Sequence, residues 1–559
     1  MRGALMVCGT ASHVGKSQVV AGLCRLLARQ GVKVAPFKAQ SRGLDSFVTP
    51  EGHEIGRAQA MQAMAAGVEP EVAMNPVLVK PTADGTSQVV VRGRPWRVLD
   101  AVAYREARTE LRPVVQEALA DLRSRFDVVI CEGAGSAAEL EPLDEDLVNL
   151  GLAADVGVPA IVVGAIDRGG VFAALYGTVG LVPDRYRRAV RGFVINKLRG
   201  DPLLLAPATE ELERRTGVPV LGVLPYADGL VLDAEDGTEL PRHAPGPLAA
   251  GSEDVLDVAV VRFPHLSNFT DVDALAVEPA VSVRFVDHPS SLGDPDLVVL
   301  PGTKATVADL AWFRAVGFDI ALEGLRRDTS GGVRAGSPLV LGICGGYQML
   351  GTRIEDPGSV ESASGPVDGL GLLDVRTVFL VDERTRQRRG RTVWPRLSRA
   401  LVDDGTMPEE ELEGAPRQDP SVPVRGYEVH HGRAHPGPGA APLFLLGDRR
   451  GRRTEGVVDE DGGVLGSSLH GLLEHDELRS ALLAVVAARR AKRFVPSGVS
   501  FAAARQGQIE RLADVCADRL DLEAVCALVA EGGGATGGPA VAVASDLAAA
   551  SDLAVMDAP

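Results

Sequence analysis

Short apolar runs alternate with amphipathic stretches over the first 230 or so residues of the chain. The apolar runs predict buried strands and the stretches between them predict helices, an alternation typical of a parallel, doubly wound α/β sheet. The predicted strands are residues 5–7, 32–37, 128–130, 160–163, 192–195 and 220–223. The pattern therefore predicts an N-terminal α/β domain over residues 1–232.

The hydrophobic pattern breaks once and then resumes. Residues 233–254 are polar and rich in Pro and Gly, as expected of an interdomain linker. A second α/β series, predicted as a domain over residues 255–496, begins with the runs 255–261, 297–300 and 339–343 and carries a charged, Pro-containing insertion near residues 383–423. Residues 497–530 are predicted to be helical, and the Gly/Ala/Asp-rich tail at 531–559 to be disordered.

The net charge and the cysteine content limit the kinds of partner and cellular compartment that are expected for this chain. A net charge of −17 without a Lys/Arg block predicts no nucleic-acid partner. A small anionic substrate is still compatible, because a pocket can be locally basic. Six scattered cysteines without a CxxC motif predict a reduced, cytoplasmic protein. The chain shows neither a signal peptide nor an apolar run that could span a membrane, and its oligomeric state is not indicated.

The motif GTASHVGKS directly follows the first predicted strand and precedes a predicted helix. Gly9, Thr10 and Gly15 belong to a turn whose backbone N–H groups can surround the phosphates of ATP. Lys16 can reach the terminal phosphates and Ser17 can hold Mg²⁺. Five residues separate the two glycines, one more than in the ordinary Walker A motif, and the loop resembles that of the dethiobiotin synthetase-like branch of P-loop enzymes.

Other candidates lie at the ends of predicted strands, where ligands gather in α/β folds. Glu132, in CEGAGS, is a candidate Mg²⁺ ligand, and Asp45 is a second one. Lys38 could face the phosphoryl group or a substrate carboxylate, although it could equally be a surface lysine. Asn196 could read the adenine or simply end a strand in a turn. Arg168, in DRGG, could bind a carboxylate through two hydrogen bonds.

The segment LVLGICGGYQMLG places Cys344 between glycines, after a strand and before a helix. Such an elbow exposes the sulfur at a helix N-terminus, which favours the thiolate. Backbone N–H groups near Gly302, in LPGT, and that of Gly345 could form an oxyanion hole. His470, in GSSLHGLLEHD, is the candidate base and acid, with His475 as the weaker alternative.

These features together resemble the class I glutamine amidotransferases. That family commonly has a Glu two residues after its His, whereas this chain has Leu472, so the third catalytic residue is unassigned. The branch that joins such a domain to a dethiobiotin synthetase-like domain contains the cobyrinic acid a,c-diamide synthases and the cobyric acid synthases. A P-loop switch ATPase, the alternative from another class, has no reason to carry the cysteine elbow.

Between those two families, the motifs favour the cobyric acid synthases. The matching runs are residues 51–81, IDRGGVFAALYGT, GFVINKLRGDP, LSNFTDVDAL, LPGTKATVADLAW and GYEVHHGR. The resemblance implies ATP- and Mg²⁺-dependent amidation of the b, d, e and g carboxylates of the corrin adenosylcobyrinic acid a,c-diamide, with glutamine as nitrogen donor. A diamide synthase, or an amidoligase for another polycarboxylate, is the alternative. Residues 41–45 and 139–144 depart from the family pattern in loops expected to face the corrin.

Overall fold

The structure, a computed structural model, describes residues 1–82, 85–139, 145–227, 254–327, 330, 332–362, 364–397, 421–448 and 451–533. The predicted linker lies outside the described residues except for Asp254, and the predicted disordered tail lies outside them from residue 534 onward. Among the described residues, no helix is both long and apolar enough to cross a bilayer.

The N-terminal region alternates strands and helices as predicted. Its strands are β1 (Gly3–Gly9), β2 (Val34–Phe37), β3 (Gln40–Arg42), β4 (Ser46–Val48), β5 (Glu54–Gly56), β6 (Val77–Pro81), β7 (Ser87–Val91), β8 (Arg94–Leu99), β9 (Val128–Glu132), β10 (Ala160–Ala165), β11 (Val190–Leu198) and β12 (Val220–Pro225). Its α-helices are α1 (Lys16–Arg29), α2 (Arg57–Ala66), α3 (Ala101–Arg125), α4 (Leu150–Asp155), α5 (Val171–Leu181), α6 (Asp184–Arg187) and α7 (Ala206–Thr216). Short 3-10 helices occupy Val72–Met74 and Pro202–Leu205.

The main N-terminal sheet is parallel, in the order β12-β11-β10-β1-β9-β2. The predicted doubly wound α/β class is therefore confirmed. Strand β1 lies centrally, between β9 and β10, and its carboxyl end leads into the Gly-rich loop. In the register of the sheet Val7 pairs with Glu132, so the end of β9 lies beside the start of that loop.

A smaller sheet of order β3-β6-β7-β8 and the ribbon β4/β5 fill residues 40–99. The sequence pattern did not predict these short strands. These strands are only three to six residues long, which is too short for a clear alternation of apolar and polar positions.

The C-terminal region also has a central sheet. Its strands are β13 (Leu256–Val261), β14 (Val281–Val286), β15 (Leu297–Leu300), β16 (Leu339–Ile343), β17 (Arg353–Glu355), β18 (Val367–Asp368), β19 (Val375–Thr392), β20 (Pro423–Pro436), β21 (Ala441–Asp448), β22 (Gly451–Val458) and β23 (Val464–Ser467). Its α-helices are α8 (Thr306–Ala315), α9 (Phe318–Arg326), α10 (Gly345–Leu350), α11 (Asp476–Arg489), α12 (Phe501–Arg519) and α13 (Leu522–Glu531). Short 3-10 helices occupy Phe269–Val277, Pro289–Ser291 and Leu472–Glu474.

Strands β14-β13-β15-β16-β23 are parallel, and β22, β21 and β19 extend the sheet in antiparallel fashion. Strands β19 and β20 form a long antiparallel pair. The insertion predicted from residue 383 starts later than expected, because residues 383–392 continue β19. Residues 398–420 of that insertion lie outside the described residues.

The C-terminal helices pack against the N-terminal sheet. On α12, Ile509, Leu512 and Cys516 share a buried core with α1. A Cβ on Gly22 of α1 would lie 2.6 Å from the sulfur of Cys516, so the glycine permits close contact between the helices. The predicted helical segment is therefore present, and it completes the core of the first α/β region although it follows the second in sequence.

Candidate active sites

The Gly-rich loop bends back toward the helix that it precedes. Gly15 has a φ of 96°, and α1 starts at the next residue. The ammonium of Lys16 donates to the carbonyl oxygens of Ala11 at 2.9 Å and Gly135 at 3.0 Å. The Lys16 side chain thus lies along the inside of the loop that starts at Gly9, where phosphates are expected.

Glu132 is the centre of a buried polar cluster behind this loop. Its Oε1 accepts hydrogen bonds from Ser17 Oγ and Lys38 Nζ, both at 2.8 Å, and its Oε2 accepts one from Gln62 on α2. Burial raises the pKa of Glu132, but the charge of Lys38 and the hydrogen bonds outweigh burial and lower it. Three predicted residues, Ser17, Lys38 and Glu132, are therefore brought together around one ionised carboxylate.

The donor set fits a magnesium ion in the manner of P-loop enzymes. Mg²⁺ takes oxygen ligands and usually keeps waters and substrate phosphates in its coordination shell. Ser17 Oγ and the Glu132 carboxylate supply two such oxygens beside the loop. Among the described residues, no group of three or more His, Cys, Asp or Glu side chains is arranged for a metal ion. Phosphate and water oxygens would complete the shell of a Mg²⁺ held by Ser17 and Glu132.

Asn196 contacts the loop directly. Its Nδ2 donates to the carbonyl of Val14 at 2.9 Å, and a Cβ on Gly15 would lie 2.1 Å from the same atom. Beside it is a pocket of about 130 Å³ that α12 helps to line, with Leu512 and Cys516 among its residues. Asn196 thus holds the loop and borders a pocket near it, where adenine binding stays a prediction.

Two other predicted site residues, Arg168 and Asp45, are not part of the cluster around Glu132. Arg168 is exposed in the loop between β10 and α5. Asp45 is 8% exposed, and its Oδ1 accepts from the backbone N–H of Phe269 at 3.1 Å, in the contact between the two α/β regions. The structure does not bring Asp45 to Ser17 and Glu132, because the start of a 3-10 helix in the other region already occupies its carboxylate.

The two loops that depart from the family pattern, residues 41–45 and 139–144, were both expected to face the substrate, but their residues lie in different surroundings. Arg42 is exposed on β3, and Glu139 is exposed with its Oε1 accepting from the N–H of Ser136. Residues 140–144 lie outside the described residues. Because Asp45 contacts the second region, only part of the 41–45 loop is free to face a substrate.

Cys344 occupies the predicted strand-to-helix turn. It has a φ of 50°, a strained value for a residue with a side chain, and α10 begins at Gly345. A Cβ on Gly346 would lie 1.9 Å from the carbonyl oxygen of Leu300, so the turn needs glycine there. The 6% exposed cysteine therefore lies at the N-terminus of a short helix, in the geometry of a nucleophile elbow.

The turn containing Gly302 packs against the elbow. A Cβ on Gly345 would lie 2.5 Å from the Thr303 methyl carbon, and one on Gly302 would lie 2.9 Å from Cε1 of His470. The structure thus brings together Cys344, His470, Gly302 and Gly345, as predicted.

His470 is paired with a carboxylate that sequence analysis did not assign. Its Nδ1 lies 2.7 Å from Oδ2 of Asp271, and both side chains are at most 3% exposed. Burial lowers the pKa of His470, but the charges of Asp271 and Cys344 and their hydrogen bonds outweigh burial and raise it to about 10. The imidazolium is therefore stable at neutral pH beside the sulfur. His475 instead precedes α11.

Residues from the N-terminal region support this pair. The ring of Tyr427 stacks on His470 at 5.5 Å, and its hydroxyl donates to the carbonyl of Ser46 at 3.0 Å. Asn268, just before the 3-10 helix that carries Asp271, donates to the same carbonyl at 3.1 Å. The positions of His470 and Asp271 are thus linked to β4 of the other region.

Helix α2 spans the distance between the two sites. Its first residue, Arg57, donates to the Tyr427 hydroxyl and to Glu474, which also accepts from Arg505 of α12. Five residues along the same helix, Gln62 binds Glu132. These residues were not predicted from the sequence. The side chains of Arg57 and Tyr427, which share a hydrogen bond, are 370 positions apart, so no local sequence pattern indicates their contact.

Comparison with known proteins agrees with this geometry. Residues 5–240 match the CobQ/CobB/MinD/ParA nucleotide binding domain, and residues 257–478 match the CobB/CobQ-like glutamine amidotransferase domain. The chain is 48% identical to a cobyric acid synthase of Frankia casuarinae, over 95% of this chain and 98% of the relative. It is 48% identical to a cobyric acid synthase of Rhodococcus jostii, over 97% of this chain and 98% of the relative. The chain therefore belongs to the cobyric acid synthase family, with a nucleotide-binding domain and a glutamine amidotransferase domain in one enzyme.

Proposed function

We propose that the enzyme amidates the b, d, e and g carboxylates of adenosylcobyrinic acid a,c-diamide, with ATP as the activating substrate and glutamine as nitrogen donor. The observation that carries this proposal is the buried Cys344, His470 and Asp271 arrangement in the same chain as the P-loop cluster around Glu132. Family membership supports the corrin as substrate, because the curated relatives are named cobyric acid synthases.

In the synthetase reaction, a corrin carboxylate attacks the γ-phosphorus of ATP, forming an acyl phosphate and releasing ADP. The loop from Gly9 to Ser17 binds the phosphates through its N–H groups, and Lys16 exchanges its carbonyl partners for the terminal phosphates. Mg²⁺ bound by Ser17 and Glu132 would neutralise phosphate charge during the transfer. Lys38 keeps Glu132 ionised and oriented for that role.

In the glutaminase reaction, the Cys344 thiolate attacks the amide carbon of glutamine. The backbone N–H groups of the elbow stabilise the resulting oxyanion, and the imidazolium of His470 gives its proton to the departing ammonia. The thioester is then hydrolysed by water, which His470 deprotonates, and glutamate leaves. Asp271 holds the ring nitrogen that faces away from the sulfur and so fixes its orientation.

The two reactions combine when ammonia attacks the acyl phosphate. The nitrogen forms a bond to the carbonyl carbon, phosphate leaves with the bonding electron pair, and the nitrogen loses a proton. One ATP and one glutamine are consumed for each amide formed.

Mass spectrometry of the product tests the proposal. Purified enzyme with ATP, Mg²⁺, glutamine and adenosylcobyrinic acid a,c-diamide should convert each of the four carboxyl groups into a carboxamide. If the a,c-diamide stays unchanged while cobyrinic acid, supplied in its place, is amidated at the a and c positions, the enzyme is a diamide synthase. If no corrin is amidated while another polycarboxylate is, the substrate assignment is wrong.

A further inference from the structure

The pocket around Cys344 contains more charged groups than glutamine hydrolysis uses. It has a volume of about 30 Å³, and its lining includes Lys80, Lys304, Glu361 and Glu383. All except Lys80 also line a chamber of about 2280 Å³ into which the pocket opens. These charges therefore lie at the junction between the buried sulfur and the space from which a substrate can enter.

Lys80 is shared between two carboxylates. Lys80 Nζ lies 2.6 Å from Glu54 Oε1 and 3.7 Å from Glu383 Oε1. Nε2 of His431 lies 3.6 Å from the same oxygen of Glu383. Burial raises the pKa of Glu383, but the neighbouring cations outweigh burial and lower it. Lys80 is thus held by Glu54 and Glu383.

Lys304 is the second ammonium at this junction. It follows Thr303 of the turn against the elbow, and its backbone N–H donates to the carbonyl of His265 at 3.1 Å. Among the described residues, no carboxylate oxygen lies within 4 Å of its ammonium. Burial and the charge of Lys80 lower its pKa, and the charges of Glu383, Glu361 and Glu54 offset this only in part.

Glu361 is the corresponding carboxylate. Its Oε2 accepts from the N–H of Thr306, the first residue of α8, at 2.9 Å. Thr306 Oγ1 in turn donates to Gln348 of α10 at 3.2 Å, so the carboxylate is fixed relative to the cysteine helix. No Lys, Arg or His nitrogen of the described chain lies within 4 Å of it, and burial raises its pKa to about 7.

We propose that Lys304 and Glu361 bind the α-carboxylate and the α-ammonium group of the glutamine whose side-chain amide lies at Cys344. This inference rests on the proposed glutaminase function. A zwitterionic amino acid supplies one negative and one positive group, which match an ammonium and a carboxylate that line the pocket without a close ion pair. The direction also fits, because the amide enters the deep end at Cys344 while the amino-acid end stays at the junction with the chamber.

Charge-assisted hydrogen bonds of this kind select for free amino acids. The test compares glutaminase activity on L-glutamine, on its α-amide, which lacks the carboxylate charge, and on Nα-acetyl-L-glutamine, which lacks the ammonium. Lys304→Met should raise KM for glutamine about tenfold or more, with a smaller change in kcat, and should abolish the preference over the α-amide alone. Glu361→Gln should abolish the preference over the acetylated compound alone.

Matched surface variants serve as controls. Lys33→Met and Glu323→Gln change the same residue types at exposed positions and should behave as the parent does. Lys304→Arg keeps the charge and should retain the preference over the α-amide. Synthesis with ammonium and alkylation of Cys344 by neutral iodoacetamide should stay at parental rates in Lys304→Met and Glu361→Gln.

The outcomes separate this inference from the proposed function. Unchanged KM and unchanged preferences in Lys304→Met and Glu361→Gln would overturn the inference while leaving the amidation intact. Equal losses with glutamine and with ammonium would also overturn it, since they would indicate a structural role. A parent enzyme that hydrolyses no glutamine would contradict the proposed function itself.

Discussion

The nucleotide loop and the cysteine elbow are both strand-to-helix turns at the ends of parallel strands. The residues that surround the two turns, however, come from different parts of the chain. Around Ser17, the polar partners Lys38, Gln62 and Glu132 all come from the same α/β region. The synthetase site is therefore assembled within one domain.

The cysteine site depends on the other region as well. Asp271 lies on a 3-10 helix whose start is bound by Asp45 and Ser46, and His470 stacks on Tyr427, which donates to Ser46. The His470 and Asp271 pair beside Cys344 is thus held by groups that belong to the N-terminal region. We expect changes at this contact to affect glutamine hydrolysis more than phosphoryl transfer.

The largest effect is expected for Cys344→Ser. Glutamine-supported synthesis should fall about 10⁵-fold or more, because a serine hydroxyl is a far weaker nucleophile beside an imidazolium. Synthesis with high ammonium should persist, since the acyl phosphate forms in the other domain. Glutamate release and amide formation, measured in parallel, check this; parental glutamine hydrolysis in the variant would remove Cys344 from the mechanism.

Asp271→Asn should lower glutaminase kcat by about 10⁴-fold, by analogy with the loss of the carboxylate in other triads. The carboxylate raises the pKa of His470 to about 10, so its removal should lower that pKa. The parent should keep its imidazolium until the pH approaches 10, whereas the variant should lose it at lower pH. A pH profile of glutamate release checks this, and an unshifted alkaline limb would argue against the pairing.

Lys16→Ala should reduce synthesis with either nitrogen source by about 10²-fold or more, because the charge that binds the terminal phosphates is lost. Basal glutaminase should survive, in contrast to the two preceding variants. ATP consumption in the presence of corrin is the measurement. Unchanged ATP turnover would exclude the loop from phosphoryl transfer.

Asp45 gives the smallest and most discriminating change. Asp45→Ala removes the acceptor for the Phe269 N–H and should lower glutaminase about two- to tenfold, within the range of a lost helix cap. Asp45→Asn keeps an acceptor oxygen and should stay near the parent. Titration of Mg²⁺ in both variants distinguishes the alternatives, since a metal ligand at Asp45 would shift the Mg²⁺ dependence of synthesis in each of them.

The parts that sequence predicted are those encoded locally. The parallel sheets followed from apolar runs, and the P-loop and elbow followed from glycines with fixed spacing around Lys16 and Cys344. Asp271 could not be assigned, because it precedes His470 by 199 residues and only the fold brings them together. The position of Asp45 was missed for the same reason.

The packing of α12 against the N-terminal region could not be predicted from the sequence either. Its helical pattern predicted a helix, but an apolar stripe does not reveal which surface covers it. The contact of Cys516 with Gly22, and the pocket that α12 lines beside Asn196, depend on the path of the whole chain.

The proposed function requires that this one chain transfer the amide nitrogen of glutamine to the corrin carboxylates. Incubation with amide-¹⁵N-labelled glutamine, ATP, Mg²⁺ and adenosylcobyrinic acid a,c-diamide, followed by mass spectrometry of the corrin, tests it most directly. We expect ¹⁵N in each newly formed amide, with one glutamate and one ADP released per amide. The corrin product of Cys344→Ser supplied with unlabelled ammonium should carry no label. A corrin product without ¹⁵N, or glutamine hydrolysis without any corrin amidation, would contradict it.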